Sequence, residues 1–257
     1  MTAPTSSKTS TNEDPHHKVK LREAGKAFAE KQIAKTFANS KIQDNTASFP
    51  HFSVQEVTLG KVLGKGGFGT VYEVRGFEAG KTAKKALVTR GDEEMAPLSG
   101  MESREFIAKH CIRKGGDSRY AAKMLSPNTI ADPPIFIQGI MDMATETRVL
   151  SDLEHPNIIK MRACAQVSPY DESYFIVMDR LYDTMENRME KWIKRGKRNT
   201  GLVGALFDRK GNKKKDLLEE KLVAAFDLCA AIGHMHDHNI LYRDLKPENV
   251  GFDIVSM

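Results

Sequence analysis

Residues 240–257 read ILYRDLKPENVGFDIVSM, and the first half of this stretch is dense in reactive side chains. Within six residues it holds the carboxylate of Asp244, the ammonium of Lys246 and the amide of Asn249. A positioned carboxylate can accept a proton, and a lysine can balance negative charge that develops on a reacting group. This trio indicates the working centre of an enzyme, and the rest of the chain should then supply a place for its substrate.

A glycine-rich run, LGKGGFGTV, occupies residues 63–71 and places Gly64, Gly66 and Gly69 in G-x-G-x-x-G spacing. Glycines let the backbone fold tightly over a polyphosphate and present its N–H groups without obstruction. A dinucleotide-binding fold would place such a run between a strand and a helix. Here the following residues have strand character, and a loop between two strands favours a flap over a nucleotide.

A lysine and a glutamate follow this run in the order that a nucleotide site requires. YAAKML, residues 120–125, places Lys123 on a predicted strand, and Glu146 lies on a predicted helix. On this helix Glu146 shares a stripe with Met143, Leu150 and Leu153, which are apolar. A carboxylate in an apolar stripe is costly unless it is paired, so we expect Lys123 to be its partner.

Taken in order, these motifs resemble those of the eukaryotic protein kinase family, Ser/Thr type. The sequence YRDLKPEN matches the catalytic-loop pattern, and EHPNII and FIVMDRL also fit; the likeness runs from about Glu56 to Asp253. The resemblance implies an α+β, two-lobe, protein-kinase-like fold with a β-rich small lobe and the first part of a helical large lobe. We expect a flexible N-terminal extension over 1–53, the small lobe and hinge over 54–181 with an insertion at about 77–117, and a partial large lobe over 182–257.

The local patterns predict the elements of this fold. Alternation of apolar and polar residues predicts strands within 54–64, 70–76, 119–125, 155–167 and 173–181. Asp132 followed by two prolines predicts the start of a helix. Apolar periodicity predicts helices over 135–153, 184–193 and 216–238.

The resemblance also implies roles for the reactive residues. Asp244 would accept the proton of the substrate hydroxyl, Lys246 would steady the transferring phosphoryl group, and Asn249 would bind Mg²⁺. Lys123, held by Glu146, would grip the α- and β-phosphates of ATP. Lysine two places after the aspartate is typical of kinases that act on Ser or Thr, so the implied partner is a protein with a Ser/Thr acceptor. The implied adenine pocket is formed by Leu63, Val71, Ala121 and Met178, with the backbone from Asp179 to Leu181 as the hinge.

Three departures from the family pattern bear on activity. Tyr242 replaces the usual histidine before the Arg-Asp pair, and Gly251 stands where kinases have a leucine under the adenine. We expect the pocket floor to be thinner at Gly251 and nucleotide binding to be weaker. The family also implies an Asp-Phe-Gly turn and an activation segment beyond Met257, so we interpret the chain as a truncated, inactive form; the alternative is a non-catalytic pseudokinase or a nucleotide-binding regulatory module.

Composition points to an ordinary soluble protein of 257 residues, with 40% hydrophobic and 28% charged residues. The three cysteines form no C-x-x-C pair, which argues against a zinc site or a disulfide framework. His234, His236 and His238 lack a completing set of ligands, so we predict no metal site there. No apolar run is long enough to span a membrane and no secretory signal is present, which indicates a cytoplasmic or nuclear protein.

Charge is concentrated at residues 191–215, which hold ten Lys or Arg and one Asp, or +9, against +5 for the whole chain. The segment is either a solvated loop or a site for an acidic or phosphorylated partner, and we do not expect nucleic acid as that partner.

The pattern of residues 17–40 predicts a basic helix with Leu21, Ala24 and Phe28 on one side, although Gly25 lowers the helix propensity.

Overall fold

The computed structural model describes residues 15–78, 103–200 and 212–253. Eight strands are present in this part of the chain. They are β1 His51–Phe52, β2 Val57–Lys65, β3 Gly69–Phe77, β4 Tyr120–Leu125, β5 Met161–Ala165, β6 Phe175–Asp179, β7 Asp183–Thr184 and β8 Gly251–Phe252.

Six helices accompany these strands, with short 3₁₀ turns at Thr46–Ser48, Val54–Glu56 and Pro247–Asn249. The helices are α1 Pro15–Phe37, α2 Arg104–Lys109, α3 Pro127–Ala131, α4 Pro133–Asp152, α5 Met185–Thr200 and α6 Asn212–Asp237. Within the described ranges, none of these helices is long and apolar enough to cross a membrane.

The first six strands form one sheet in the order β1-β5-β6-β4-β3-β2. All neighbours in it are antiparallel except β1, which runs parallel to β5. Because β2, β3 and β4 are sequential neighbours, the glycine-rich connection between β2 and β3 lies at one end of the sheet, beside the strand that carries Lys123. The predicted α+β class is confirmed, and the five strands expected from the sequence all form.

Local capping explains why α3 and α4 start where they do. The side chain of Ser126 accepts a hydrogen bond from the Thr129 backbone N–H, and Asp132 does the same for Ile135. Prolines occupy the first helical positions after both caps, where a missing N–H costs nothing. The start of α4 is therefore as the sequence predicts.

The core lies between α4 and the sheet. Phe136, Ile140 and Met143 of α4 are buried in one cluster with Tyr120 and Ile176 of the sheet. Their three- and four-residue spacing places them on a single helical face. This face fixes α4 against the sheet and leaves its other two sides for other contacts.

The helical part of the chain after the hinge is smaller. The strands β7 and β8 pair antiparallel, with Asp183 opposite Phe252. Helix α5 packs against α6 through buried Trp192 and Leu217, and Glu220 of α6 binds Arg195 of α5. The two-lobe arrangement implied by the resemblance is thus present.

Two expectations differ from the structure. Helix α1 forms, but Phe28 is 52% exposed and Ala24 is also exposed, so the predicted apolar face is wrong. The buried face is Gly25, Ala29, Ile33 and Phe37, one residue in every four. The glycine and alanine in this stripe contribute little to an apolar pattern, which is why the pattern pointed elsewhere.

The basic segment and the insertion are only partly described. The described portions of 191–215 are helical, because α5 continues to Thr200 and α6 begins at Asn212, so at both ends the loop interpretation is wrong. Of the insertion predicted at about 77–117, residues 79–102 lie outside the described residues. The remainder forms α2 and a turn in which Ile112 pairs with Ser118.

Candidate functional site

The glycine-rich turn between β2 and β3 is closed by its own backbone. The Gly66 N–H donates to the Gly69 carbonyl at 2.8 Å. At Gly69 a Cβ would lie 2.8 Å from the Met124 carbonyl oxygen, so any side chain there would collide with β4. The Phe68 carbonyl at the tip accepts hydrogen bonds from the Ser126 N–H and the Thr129 hydroxyl at 2.9 and 2.7 Å. The turn is therefore held over the end of β4.

Lys123 lies on β4, inside the sheet, and its side chain is next to Gly69 of the glycine-rich turn. On β4 it stands opposite Val71 of β3 and Ile176 of β6. Its ammonium donates to the Glu146 carboxylate of α4, and it lies 3.4 Å from Asp142, one turn earlier. The pairing expected between Lys123 and Glu146 is present in the structure.

Burial and charge act in opposite directions on the Lys123 ammonium. Burial lowers the pKa of this amine, but the Glu146 and Asp142 carboxylates raise it by more, so the pKa lies above its ordinary value. The amine is therefore fully protonated at neutral pH. It offers a fixed positive charge beside the glycine-rich turn.

The second group of reactive residues lies on the loop between α6 and β8. The Asn249 amide donates to the Asp244 carboxylate at 2.8 Å and to its carbonyl at 2.9 Å. Lys246 lies 3.1 Å from the same carboxylate. Hydrogen bonds from Lys246 and Asn249 hold the pKa of Asp244 below its usual range. The three residues predicted from the sequence thus form one connected cluster with an ionised carboxylate.

Tyr242 replaces the expected histidine two residues before Asp244, and it is 39% exposed. Its pKa is raised first by partial burial and then by the negative charges of Asp244 and Glu146. Asn249 and Lys123 act in the opposite direction. Charged residues of both groups therefore contribute to the electrostatics of this phenol.

The residues predicted to surround the base come mostly from four neighbouring strands. Ala121 of β4 lies directly opposite Met178 of β6, and both are buried. Val71 of β3 lies opposite Gly64 of β2, next to partly buried Leu63. These positions are close in the sheet, as the resemblance implies.

Leu181 fills the space beside Gly251. A Cβ at Gly251 would lie 3.0 Å from the Leu181 Cβ and closer still to its δ-carbon. Leu181 therefore occupies the space into which a side chain at position 251 would project.

Two ion pairs hold the hinge, and sequence reasoning missed both. Arg162 of β5 makes a two-pronged contact with Asp179 at 2.9 and 2.8 Å. Arg180 donates to the buried Glu73 of β3 at 2.6 Å. Glu73 alternates with apolar residues in β3 and looks like an ordinary surface charge. Gly60 of β2 leaves room for this carboxylate, because a Cβ there would lie 2.7 Å from it, but the sequence alone does not reveal this fit.

Two of the clustered histidines, His234 and His238, have their rings in contact, and His155 lies beside His234. The rings of His234 and His238 lie 4.5 Å apart, and His155 lies 5.0 Å from His234. Across residues 15–78, 103–200 and 212–253, no group of three or more His, Cys, Asp or Glu side chains converges in a way that could hold a metal ion.

Comparison of the sequence with known proteins identifies a family and several relatives of the chain. A family model described as "Protein kinase domain" matches residues 106–255, which is more than half of the chain. The chain is 26% identical over 172 residues to serine/threonine-protein kinase DCLK3 of Mus musculus, covering 66% of this chain and 18% of that protein. It is 28% identical over 149 residues to cAMP-dependent protein kinase type 3 of Saccharomyces cerevisiae, covering 58% and 31%.

A third relative extends the similarity further along the chain. An Aurora kinase of Eremothecium gossypii is 25% identical over 204 residues, covering 78% of this chain and 37% of that protein. The chain thus spans less than two fifths of the length of each of these three relatives.

Proposed function

The chain belongs to the protein kinase family, and from this premise we propose that it binds Mg·ATP between the glycine-rich turn and the 244–249 loop to transfer its γ-phosphoryl group to a protein. The observation that carries the proposal is the ion pair between Lys123 and Glu146 beside that turn. A protonated lysine fixed by a partly buried carboxylate is suited to bind a polyphosphate, because it cannot swing away or lose its charge.

The substrate nucleotide would be held by backbone and side chains together. The N–H groups of the glycine-rich turn would face the phosphates, and Lys123 would bind two of them. Asn249 carries an amide oxygen, which is a hard donor of the kind that Mg²⁺ takes alongside phosphate oxygens and water. Asn249 would therefore help to hold the magnesium that arrives with ATP.

The transfer step assigns a role to each loop residue. The acceptor hydroxyl oxygen attacks the γ-phosphorus, the bond to the β,γ-bridging oxygen breaks, and ADP leaves. Asp244 takes the hydroxyl proton, for which it must be ionised; its lowered pKa supports that state at neutral pH. Lys246, 3.1 Å from Asp244, would balance the negative charge of the transferring group.

The proposed acceptor is a Ser or Thr side chain of a protein. The residue pattern around Lys246 supports this choice, and the relatives include proteins named as serine/threonine kinases.

We also propose that residues 191–215 contact an acidic or phosphorylated partner. Part of their charge is already engaged, since Lys191 pairs with Asp183 and Arg195 with Glu220, so the partner would meet a reduced positive charge.

Calorimetric titration and phosphate transfer test the proposal together. We expect one saturable Mg·ATP site per chain. Transfer from labelled ATP to Ser or Thr of a mixed protein substrate then decides between an active kinase and the inactive form interpreted from the sequence. Asp244→Asn should retain nucleotide binding and lower transfer by about 10²–10⁴-fold, as for loss of a general base. Binding without transfer would favour the regulatory-module alternative, and failure to bind Mg·ATP would refute the proposal.

A further inference from the structure

Helix α4 is held from two sides, and only one of them belongs to the nucleotide site. With 3.6 residues per turn, Ile137, Met141 and Ala144 share one face of α4, and Asp142 and Glu146 lie roughly opposite, about 140–180° around the helix. The second face meets Lys123. The first face packs against α1.

The contact between α1 and α4 is close and buried. At Gly25 a Cβ would lie 2.6 Å from Ile137 Cδ1, so a larger residue there would require the Ile137 side chain to move. Further along α1, Ile33 and Phe37 are buried in one cluster with Ala144. The Arg148 guanidinium lies 4.7 Å from the centre of the Phe37 ring, a favourable cation–π geometry.

The segment after α1 continues the contact to the end of α4. The Asn45 amide donates to the carboxylate of Asp152, the last residue of α4, at 2.7 Å, and the Gln43 N–H donates to the same group at 3.2 Å. Lys41 donates to the Asp237 carbonyl at 3.1 Å, at the end of α6. The segment therefore touches α4 and the helical lobe at once.

We propose that residues 15–45, here called the N-terminal brace, position α4 so that Glu146 reaches Lys123, and that loosening the brace lowers the affinity for Mg·ATP. This inference rests on the proposed function. The brace lies outside the residues that match the family model, which begin at residue 106. It is a positioning element: it touches neither Lys123 nor the 244–249 loop, and it acts through α4.

The physical basis is that a packed helix moves as a unit. Small translations or rotations of a helix against its neighbours can make or break a contact on its far side. The sheet face of α4 restrains one direction, and the brace restrains the direction that points away from Lys123. Without the brace, movement of α4 away from Lys123 would be opposed by the sheet contacts and by the ion pair, and the pair is partly exposed to water.

Phe37→Ala and Phe28→Ala form a matched pair of variants for the test. Both remove a phenyl ring from α1, but Phe37 is 9% exposed against α4 whereas Phe28 is 52% exposed. Titration with Mg·ATP is done at a temperature where circular dichroism shows all variants folded. We expect Phe37→Ala to weaken binding at least about fivefold, at the lower end of coupling between separate sites. Phe28→Ala should match the wild type, and Phe37→Leu should restore most of the affinity.

A double-variant comparison separates positioning from a general loss of structure. In a Glu146→Gln background, Phe37→Ala should cause no further loss of affinity, because the contact through which it acts is already removed. Losses that multiply in the double variant would overturn the inference, as would equal affinities for the wild type and Phe37→Ala.

A nucleotide-free measurement keeps the inference testable if the proposed function fails. Acetylation of Lys123 by acetic anhydride, followed across pH by mass spectrometry, reports the protonation of its amine. Glu146 and Asp142 face this amine from α4, and the Tyr242 phenol of the loop is coupled to it electrostatically. Phe37→Ala should shift the profile to lower pH, as Glu146→Gln does, whereas Phe28→Ala should not. If the wild type binds no Mg·ATP, the function fails alone; a Phe37→Ala profile that superimposes on the wild type overturns the brace.

Discussion

Replacing Glu73 by alanine is expected to lower the free energy of unfolding by about 3–5 kcal/mol, the cost of leaving a buried charge without its partner. Glu73 is 1% exposed, and its carboxylate lies 2.6 Å from Arg180 and 2.7 Å from Arg75. Arg75 is half exposed and can be hydrated after the change, but Arg180 is almost fully buried. The loss therefore arises mainly at Arg180.

Urea denaturation followed by circular dichroism measures this loss. Glu154→Ala is the matched control, since the Glu154 side chain is 86% exposed and lies 3.6 Å from Lys160. An exposed pair of this kind contributes at most about 1 kcal/mol. The Glu73→Ala, Arg180→Ala double variant should recover part of the stability, because no lone charge remains. A loss below about 1 kcal/mol for Glu73→Ala would contradict the buried ion pair as the link between β3 and the hinge.

Replacing Lys123 by alanine is expected to affect binding and not folding. The variant would lose the charge-assisted hydrogen bond from the lysine amine to phosphate, which contributes about 1.5–3 kcal/mol. Its affinity for Mg·ATP should therefore fall by about 10–150-fold. The carboxylates left behind, Glu146 and Asp142, are partly exposed and can be hydrated. The unfolding midpoint should therefore change little, in contrast to Glu73→Ala.

Calorimetric titration with Mg·ATP compares Lys123→Ala with Lys160→Ala. Lys160 lies in an exposed pair with Glu154, and its loss should leave the affinity unchanged. If Lys123→Ala binds Mg·ATP as tightly as the wild type, the phosphates do not lie at Lys123. If instead it unfolds, the partly exposed pair with Glu146 has a structural role that its geometry does not indicate.

The sequence was sufficient for the residues that occur in short ordered motifs. Lys123 could be paired with Glu146 because one lies on a predicted strand and the other interrupts an apolar helical stripe, where an unpaired charge is costly. Asp244, Lys246 and Asn249 are separated by few residues, so the loop that holds one holds the others. In short motifs of this kind, the spacing in the sequence largely determines how close the side chains lie in the structure.

Contacts between segments that are distant in the sequence could not be predicted from such local patterns. Glu73 and Arg180 are 107 residues apart, and neither stands out in its own strand. The buried face of α1 was assigned wrongly because close packing on α4 selects Gly25 and Ala29, whose small side chains carry almost no hydrophobic signal. The close approach of Leu181 to Gly251 likewise depends on the three-dimensional fold, because the two residues are far apart in the sequence.

Labelling with an acyl phosphate of ATP tests the central claim most directly. A lysine that contacts the bound phosphates attacks the acyl carbon, the bond to the γ-phosphate oxygen breaks, and ATP leaves. With the full chain and Mg²⁺, peptide mass spectrometry should show acylation at Lys123 that excess Mg·ATP suppresses, while exposed Lys160 is labelled weakly and without competition. Labelling spread over surface lysines, with Lys123 unmodified or insensitive to Mg·ATP, would contradict a nucleotide site between the glycine-rich turn and the 244–249 loop.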